Sequence, residues 1–101
     1  MASNLIVVPE ADQDITDAAD WYEQQRGGRG RKFVVRVRDC IRSICNAPRG
    51  FTALHGPYRR TVVHHFPYIV AYRYDAATDT VTVVAVFHTS RDPNDLLGRL
   101  T

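Results

Sequence analysis

Cysteine is nearly absent from this chain of 101 residues: Cys40 and Cys45 are the only two. Both fall inside one apparent helix, where the rise between them is about 7–8 Å, beyond comfortable disulfide reach. A disulfide-stapled secreted scaffold is thereby excluded, and both thiols are expected to stay reduced, as in a cytoplasmic protein. Long hydrophobic runs are missing as well. The longest aliphatic stretch, Leu5 to Val8, is far too short to span a bilayer. No basic segment precedes a signal-type apolar stretch, so neither membrane insertion nor export is expected. Lysine occurs once, at Lys32, so twelve of the thirteen basic residues are arginine. No repeat or low-complexity segment is visible. With 45% hydrophobic residues and a formal net charge of +2, the composition is that of one ordinary globular domain spanning residues 1–101.

The small net charge conceals a strong segregation. Residues 1–25 hold six acids (Glu10, Asp12, Asp14, Asp17, Asp20 and Glu23) and no base. Residues 26–73 hold eleven bases against the single acid Asp39, and residues 74–101 return to a small negative balance. Solvated helix faces account for part of this pattern. Arginine's planar fork also suits bidentate pairing with carboxylates or phosphates, so a basic surface for an acidic partner, nucleic acid or polypeptide, is the alternative.

Periodicity gives the layout. Leu5 to Val8 reads as an opening strand ended by Pro9, which suits the first turn of a helix. Ala11, Ile15, Ala18, Ala19 and Tyr22 then recur at helical spacing, with most acids off that stripe. Gly27, Gly28 and Gly30 break this helix. A second helical pattern runs from Arg31 to Ala47, with Phe33, Val37, Cys40, Ile41 and Ile44 as its stripe, and Pro48 stops it. Beyond Gly56-Pro57 the period becomes extended. Strands are expected at Tyr58 to His65, Tyr68 to Tyr74 and Thr80 to His88, the last apolar on both faces and therefore central. Asp92 and Pro93 open a short terminal helix as cap and first residue. The expected fold is α+β: a strand, a helical hairpin, a three-stranded antiparallel meander and a short C-terminal helix, with the helices on one sheet face. The core is expected at Ile15, Tyr22, Phe33, Val37, Ile41, Ile44, Val84 and Val86. Strands apolar on both faces, with helices on one, predict an apolar patch that a partner covers.

Few constellations carry chemistry. The run from Arg26 to Lys32 is rich in glycine and arginine, but it follows a helix and lacks the Lys-Ser/Thr spacing of a phosphate loop. His64 and His65, as neighbours in a strand, would point to opposite faces and could not share a metal. No metal or cofactor site is expected. His88 ends the last strand three residues before Arg91, with Arg59, Arg60 and Arg73 on neighbouring strands. A histidine among arginines could cleave RNA by activating a 2′-hydroxyl and stabilising phosphorane charge. Composition favours the plainer reading, in which His88 caps the strand end through a hydrogen bond and Arg91 pairs with Asp92 or a backbone carbonyl.

Taken in order, several short pieces resemble the RelE/ParE toxins of bacterial toxin–antitoxin pairs. They are Pro9-Glu10-Ala11 with Asp14-Ile15, the run Ala18 to Glu23, Gly30 with Phe33, Ile44 with Pro48, and Leu54-His55-Gly56. Phe66 to Tyr72 and Ala85 to Pro93 complete the set. The resemblance implies the layout derived above and a cognate antitoxin as partner, with Arg59, Arg60, Arg73 and Arg91 as its expected contacts. The family's RelE-like branch cuts messenger RNA on the ribosome, using among other groups an arginine and a tyrosine. By position these fall at Ile69 and Leu97, while Arg91 matches a further basic residue of that site. The ending His88-x-x-Arg91-Asp92-Pro93 is more similar to ParE-like members, which poison DNA gyrase. The resemblance therefore implies a gyrase-directed toxin without catalytic activity. The alternatives are a ribosome-dependent mRNA endoribonuclease using His88 and Arg91, or an inactive antitoxin-binding relative.

Overall fold

A computed structural model describes residues 1–100. Its elements are β1 (Asn4–Val7), α1 (Pro9–Gln25), α2 (Arg29–Asn46), β2 (Thr52–His55), β3 (Tyr58–Val62), β4 (Tyr68–Asp75), β5 (Thr80–His88) and α3 (Pro93–Leu100). The sheet order is β1-β5-β4-β3-β2, with β1 parallel to β5 and every other pair antiparallel. β5 lies between two strands and is apolar on both faces because the helical hairpin covers one face and α3 covers part of the other. The α+β class read from the sequence holds.

The helical hairpin forms as its periodicity dictates. α1 starts on Pro9 and buries Ala11, Ala18 and Tyr22. α2 buries Phe33, Val37, Cys40, Ile41 and Ile44, and begins at Arg29, two residues before the expected start. Its first turn is made by Gly28, whose φ of 88° lies in the left-handed region. Glu23 reaches back from α1 so that its carboxylate accepts the Gly28 N–H at 2.9 Å and the Gly30 N–H at 3.1 Å. Those amides would otherwise be unsatisfied helix-start donors. Gly30 sits where the two helices touch: a Cβ there would lie 2.4 Å from the Ala19 carbonyl oxygen. Gly30→Ala should therefore force the helices apart and cost about 1–3 kcal/mol or more in urea unfolding. Gly27→Ala is the control, because its Cβ would meet only the Glu23 carboxylate at 3.8 Å. Equal midpoints for the two variants would contradict this packing.

Two cores result, one on each sheet face. The larger joins the hairpin to Val63, Phe66, Val70, Tyr72, Val81, Val83 and Val86. Within it Tyr22, Phe33, Phe66 and Tyr68 form an aromatic cluster with centroid separations of 4.9–6.2 Å. The smaller core holds Ala71, Ala85 and Phe87 beneath Leu96 and Leu100 of α3. A bulge divides the faces of β5. Tyr72 pairs with Val83 and Ala71 with Ala85, leaving Val84 as the extra residue.

Several expectations need correction. The helices do not all pack on one face, because α3 covers the second and partly hides the apolar patch expected there. A fifth strand, β2, pairs with β3 through a turn at Gly56, whose φ is 54°. β3 ends at Val62 rather than His65, since the chain turns at His65 with a φ of 69°. His64 and His65 consequently do not oppose one another across a strand; their rings lie 3.9 Å apart. Six of the eight expected core residues are buried, whereas Ile15 and Val84 are half-buried at the core margins.

Both cysteines are free thiols. Burial pushes the Cys40 thiol up to about 11, against a weaker opposing hydrogen bond from Thr61. About one molecule in a thousand would carry its thiolate at pH 8, and the thiolate is the reactive form. Iodoacetamide should accordingly modify Cys45 before Cys40 in the native protein and both promptly in denaturant, as read by peptide mass spectrometry. Equal native rates would contradict the burial of Cys40.

Candidate functional site

Strand register decides which side chains meet. Tyr58 pairs with Arg73, Arg60 with Ala71, and Ile69 with Phe87. Cross-strand partners project to the same side, so Tyr58, Arg60, Ile69 and Arg73 share the face that α3 covers in part. Arg59 pairs with Tyr72 and faces the hairpin, where its Nη1 donates to the Phe51 carbonyl at 2.8 Å. The four arginines expected to contact a partner are thus divided. Arg60 and Arg73 stand together on the α3 face, and Arg59 is turned to the other side.

Arg91 extends the α3 face beyond the end of β5. Its guanidinium stacks on the Phe87 ring at 4.0 Å and makes an exposed 3.7 Å ion pair with Asp95. This pair follows the helix spacing of four residues, and exposure leaves it little energetic weight. Asp92 Oδ1 accepts the Asn94 N–H at 2.9 Å, capping α3 as its sequence predicts.

His88 is fixed by its own turn. Its Nδ1 accepts the Ser90 backbone N–H at 3.0 Å and lies 2.7 Å from Ser90 Oγ. An Nδ1 that accepts an N–H carries no proton, so geometry assigns the neutral ring's proton to Nε2. The ring also stands edge-on to Tyr68, with centroids 5.0 Å apart. In this arrangement neutral His88 can donate from Nε2, but no ring lone pair is open to take a proton from a substrate.

Ile69 and Leu97 both pack against the smaller core, beside Ala71, Ala85, Phe87, Leu96 and Leu100. Neither side chain can donate, accept or carry charge. The centre of this face is therefore apolar, with cationic groups around it.

The sequence reading missed a bridge around the sheet edge. β1 covers β5 only as far as Val83, leaving the next backbone groups open. Asp14 of α1 accepts the Val86 N–H at 3.0 Å, and Arg99 of α3 donates to the Val84 carbonyl at 2.9 Å. Arg99 Nη1 and Asp14 pair at 2.9 Å, with side chains only 25% and 16% exposed. The signal was present: Asp14 lies three residues after Ala11 and four before Ala18, alongside the inward stripe. Next to this bridge a pocket of about 240 Å³ is lined by Asp14, Asp17, Trp21, Tyr68, His88 and Arg91. Trp21 is 55% exposed there, and sequence reasoning had given it no role beyond the resemblance.

Among the described residues, no group of three or more His, Cys, Asp or Glu side chains is arranged to hold a metal ion. Nor is any helix long and apolar enough to cross a membrane.

The frame that carries these residues is a five-stranded sheet with a helical hairpin on one face and a short terminal helix on the other. The family model described as the ParE toxin of a type II toxin–antitoxin system, parDE, matches residues 5–93, and the chain belongs to that family. Among solved structures it is similar to a chain of the chromosomal ParDE toxin–antitoxin system of P. aeruginosa, with 15% identity and a TM-score of 0.66. The match covers 88% of this chain and 98% of that one. It is also similar to the isolated E. coli RelE toxin, at 14% identity and a TM-score of 0.61, covering 97% and 98% of the two chains. A mutant of E. coli RelE in complex with a peptide of its antitoxin RelBc matches at 13% identity and a TM-score of 0.60, covering 100% and 96%. No curated protein matches the chain. At these identities the structural likenesses establish the fold alone.

Proposed function

We propose that this type II toxin inhibits DNA gyrase through protein contacts, without cutting RNA, and is neutralised by a cognate antitoxin. The observation carrying the reading is the apolar packing of Ile69 and Leu97, where the resemblance would require polar groups for RNA cleavage. Phosphodiester cleavage needs a positioned base, charge stabilisation and an acid for the leaving oxygen. Arg91 supplies charge, and neutral His88, its Nδ1 engaged by Ser90, supplies only an Nε2–H hydrogen-bond donor. The base is missing from this set.

The antitoxin would lie across the α3 face, with acidic side chains toward Arg60, Arg73 and Arg91. Arg59 is held by Phe51 and contributes less. Electrostatic complementarity of this kind governs association rate and salt dependence.

Induced expression in a bacterial host, with plasmid topology and mRNA integrity followed together, tests the reading. Plasmids should lose negative supercoiling while mRNA stays intact, and co-expression of the protein encoded beside the toxin gene should restore growth. Harmless expression would instead indicate an inactive relative. Charge reversal at both Arg60 and Arg73 should weaken antitoxin binding and flatten its salt dependence; unchanged binding would remove this face from the interface.

A further inference from the structure

A second concentration of cations lies away from the α3 face. A cavity of about 620 Å³ opens between the first half of α2 and the β3–β4 turn, lined by Arg29, Arg31, Lys32, Val35, Arg36, His65 and Phe66 along with Gly28. Four cations and no carboxylate line it. Among the described residues none of the four has a carboxylate within ion-pairing distance, since the three ion pairs use Arg42, Arg91 and Arg99. Four unpaired cations around one concavity repel each other, and an anionic occupant relieves that repulsion.

Two further features select the occupant. The amides of Gly28 and Gly30 at the start of α2 are already bound by the Glu23 carboxylate. An incoming anion must therefore be held by side-chain forks rather than by the amide cradle that helix starts offer to phosphate. The cavity also has an apolar wall. Val35 is 45% exposed beside it, and the Arg29 guanidinium is held over the Tyr22 and Phe66 rings, 5.2 and 4.9 Å from their centroids. Arg29 is thus oriented in advance, at reduced entropic cost for pairing. Cationic forks beside an exposed valine fit a segment presenting carboxylates and aliphatic side chains together. A nucleic-acid strand could use the cations and the exposed His65 ring but would leave the exposed Val35 surface without an apolar partner, which favours the polypeptide.

We propose that the cavity formed by Arg29, Arg31, Lys32, Arg36, Val35 and Phe66 binds an acidic, amphipathic polypeptide segment. The site is distinct from the α3 face and does not depend on the gyrase reading. Arg31 and Lys32 supply exposed charge, Arg36 lies deeper along the same helix, and Val35 receives the apolar side of the segment.

The test uses the full chain, labelled with nitrogen-15, and three probes. The first is a helical peptide of about twelve residues built from Glu, Leu and Ala; the second replaces its Glu by Gln; the third is an oligothymidylate of similar charge. The Glu peptide should bind and shift the amide resonances of Gly28 to Arg36, His65 and Phe66. The Gln peptide should bind about tenfold or more weakly. Arg31→Gln with Lys32→Gln and Arg36→Gln should abolish binding while leaving the unfolding midpoint near that of the parent. If the triple variant unfolds, Val35→Glu serves in its place: it keeps the cations but sets a carboxylate among them, and should weaken the Glu peptide about tenfold. Preferential binding of oligothymidylate, equal binding of the Glu and Gln peptides, shifts centred on Arg60 and Arg73, or no binding would each overturn the proposal. None of these readouts involves gyrase, so failure here is distinguishable from failure of the toxin reading.

Discussion

Phe33→Ala should destabilise the protein by about 3–5 kcal/mol, the cost typical of removing a buried aromatic ring. Phe33 is fully buried on α2, and its ring meets Tyr22, Phe66 and Tyr68 at 5.4, 5.2 and 4.9 Å between centroids. Those partners come from α1, the β3–β4 turn and β4, so the vacated space adjoins three separate parts of the fold. No single neighbour can collapse into it without moving an element. A domain of this size has a total stability of about 5–15 kcal/mol, so the variant should be close to unfolding at physiological temperature. Urea denaturation followed by tryptophan fluorescence measures the effect through Trp21. A loss below about 1 kcal/mol would contradict the place of Phe33 at the junction of hairpin and sheet.

Asp14→Ala should be nearly as damaging, at about 3–5 kcal/mol, because it strands a partly buried cation and a strand-edge amide together. The carboxylate of Asp14 is bonded to Arg99 and to the Val86 N–H, and Arg99 also holds the Val84 carbonyl. These contacts tie α1 to α3 around the open edge of β5. Pairing Asp14→Ala with Arg99→Met should recover part of the loss, since the stranded charge is then gone. Strict additivity of the two substitutions would show that the bridge carries no coupling. α3 should be the first element to loosen in the single variant, detectable as faster amide exchange at Leu96 and Leu100.

The hairpin was legible in the sequence because its signals are local. Pro9 starts α1, the glycines turn the chain, and the stripe from Phe33 to Ile44 is the one the structure buries. Less of the sheet was legible. Thr52-Ala53-Leu54-His55 is short and mostly exposed, so β2 shows no apolar alternation and exists by virtue of pairing with β3. The bulge at Val84 shifts the alternation of β5 by one residue, and an unbroken valine-rich run cannot reveal where that shift falls. The second core had a better signal. Ile69 and Ala71 alternate against Val70 and Tyr72, while Leu96 and Leu100 lie one helical turn apart and cover that second face.

For the candidate site, residue types could be read from sequence but their directions could not. Arg59 and Arg60 are neighbours in the chain and project to opposite sides of β3. His88 and Ser90 form a closed turn whose hydrogen bonds decide which nitrogen carries the proton. The cation-lined cavity arises because the β3–β4 turn brings His65 and Phe66 against α2, a tertiary contact that periodicity does not encode.

The proposed action of this ParE-family toxin is contact with gyrase and not the cutting of RNA. Its most direct test is gyrase-catalysed DNA supercoiling with the purified protein present, run beside translating ribosomes given the same protein. Supercoiling should fall while the mRNA remains full-length. Discrete mRNA cuts that disappear in His88→Ala, with supercoiling unaffected, would contradict it.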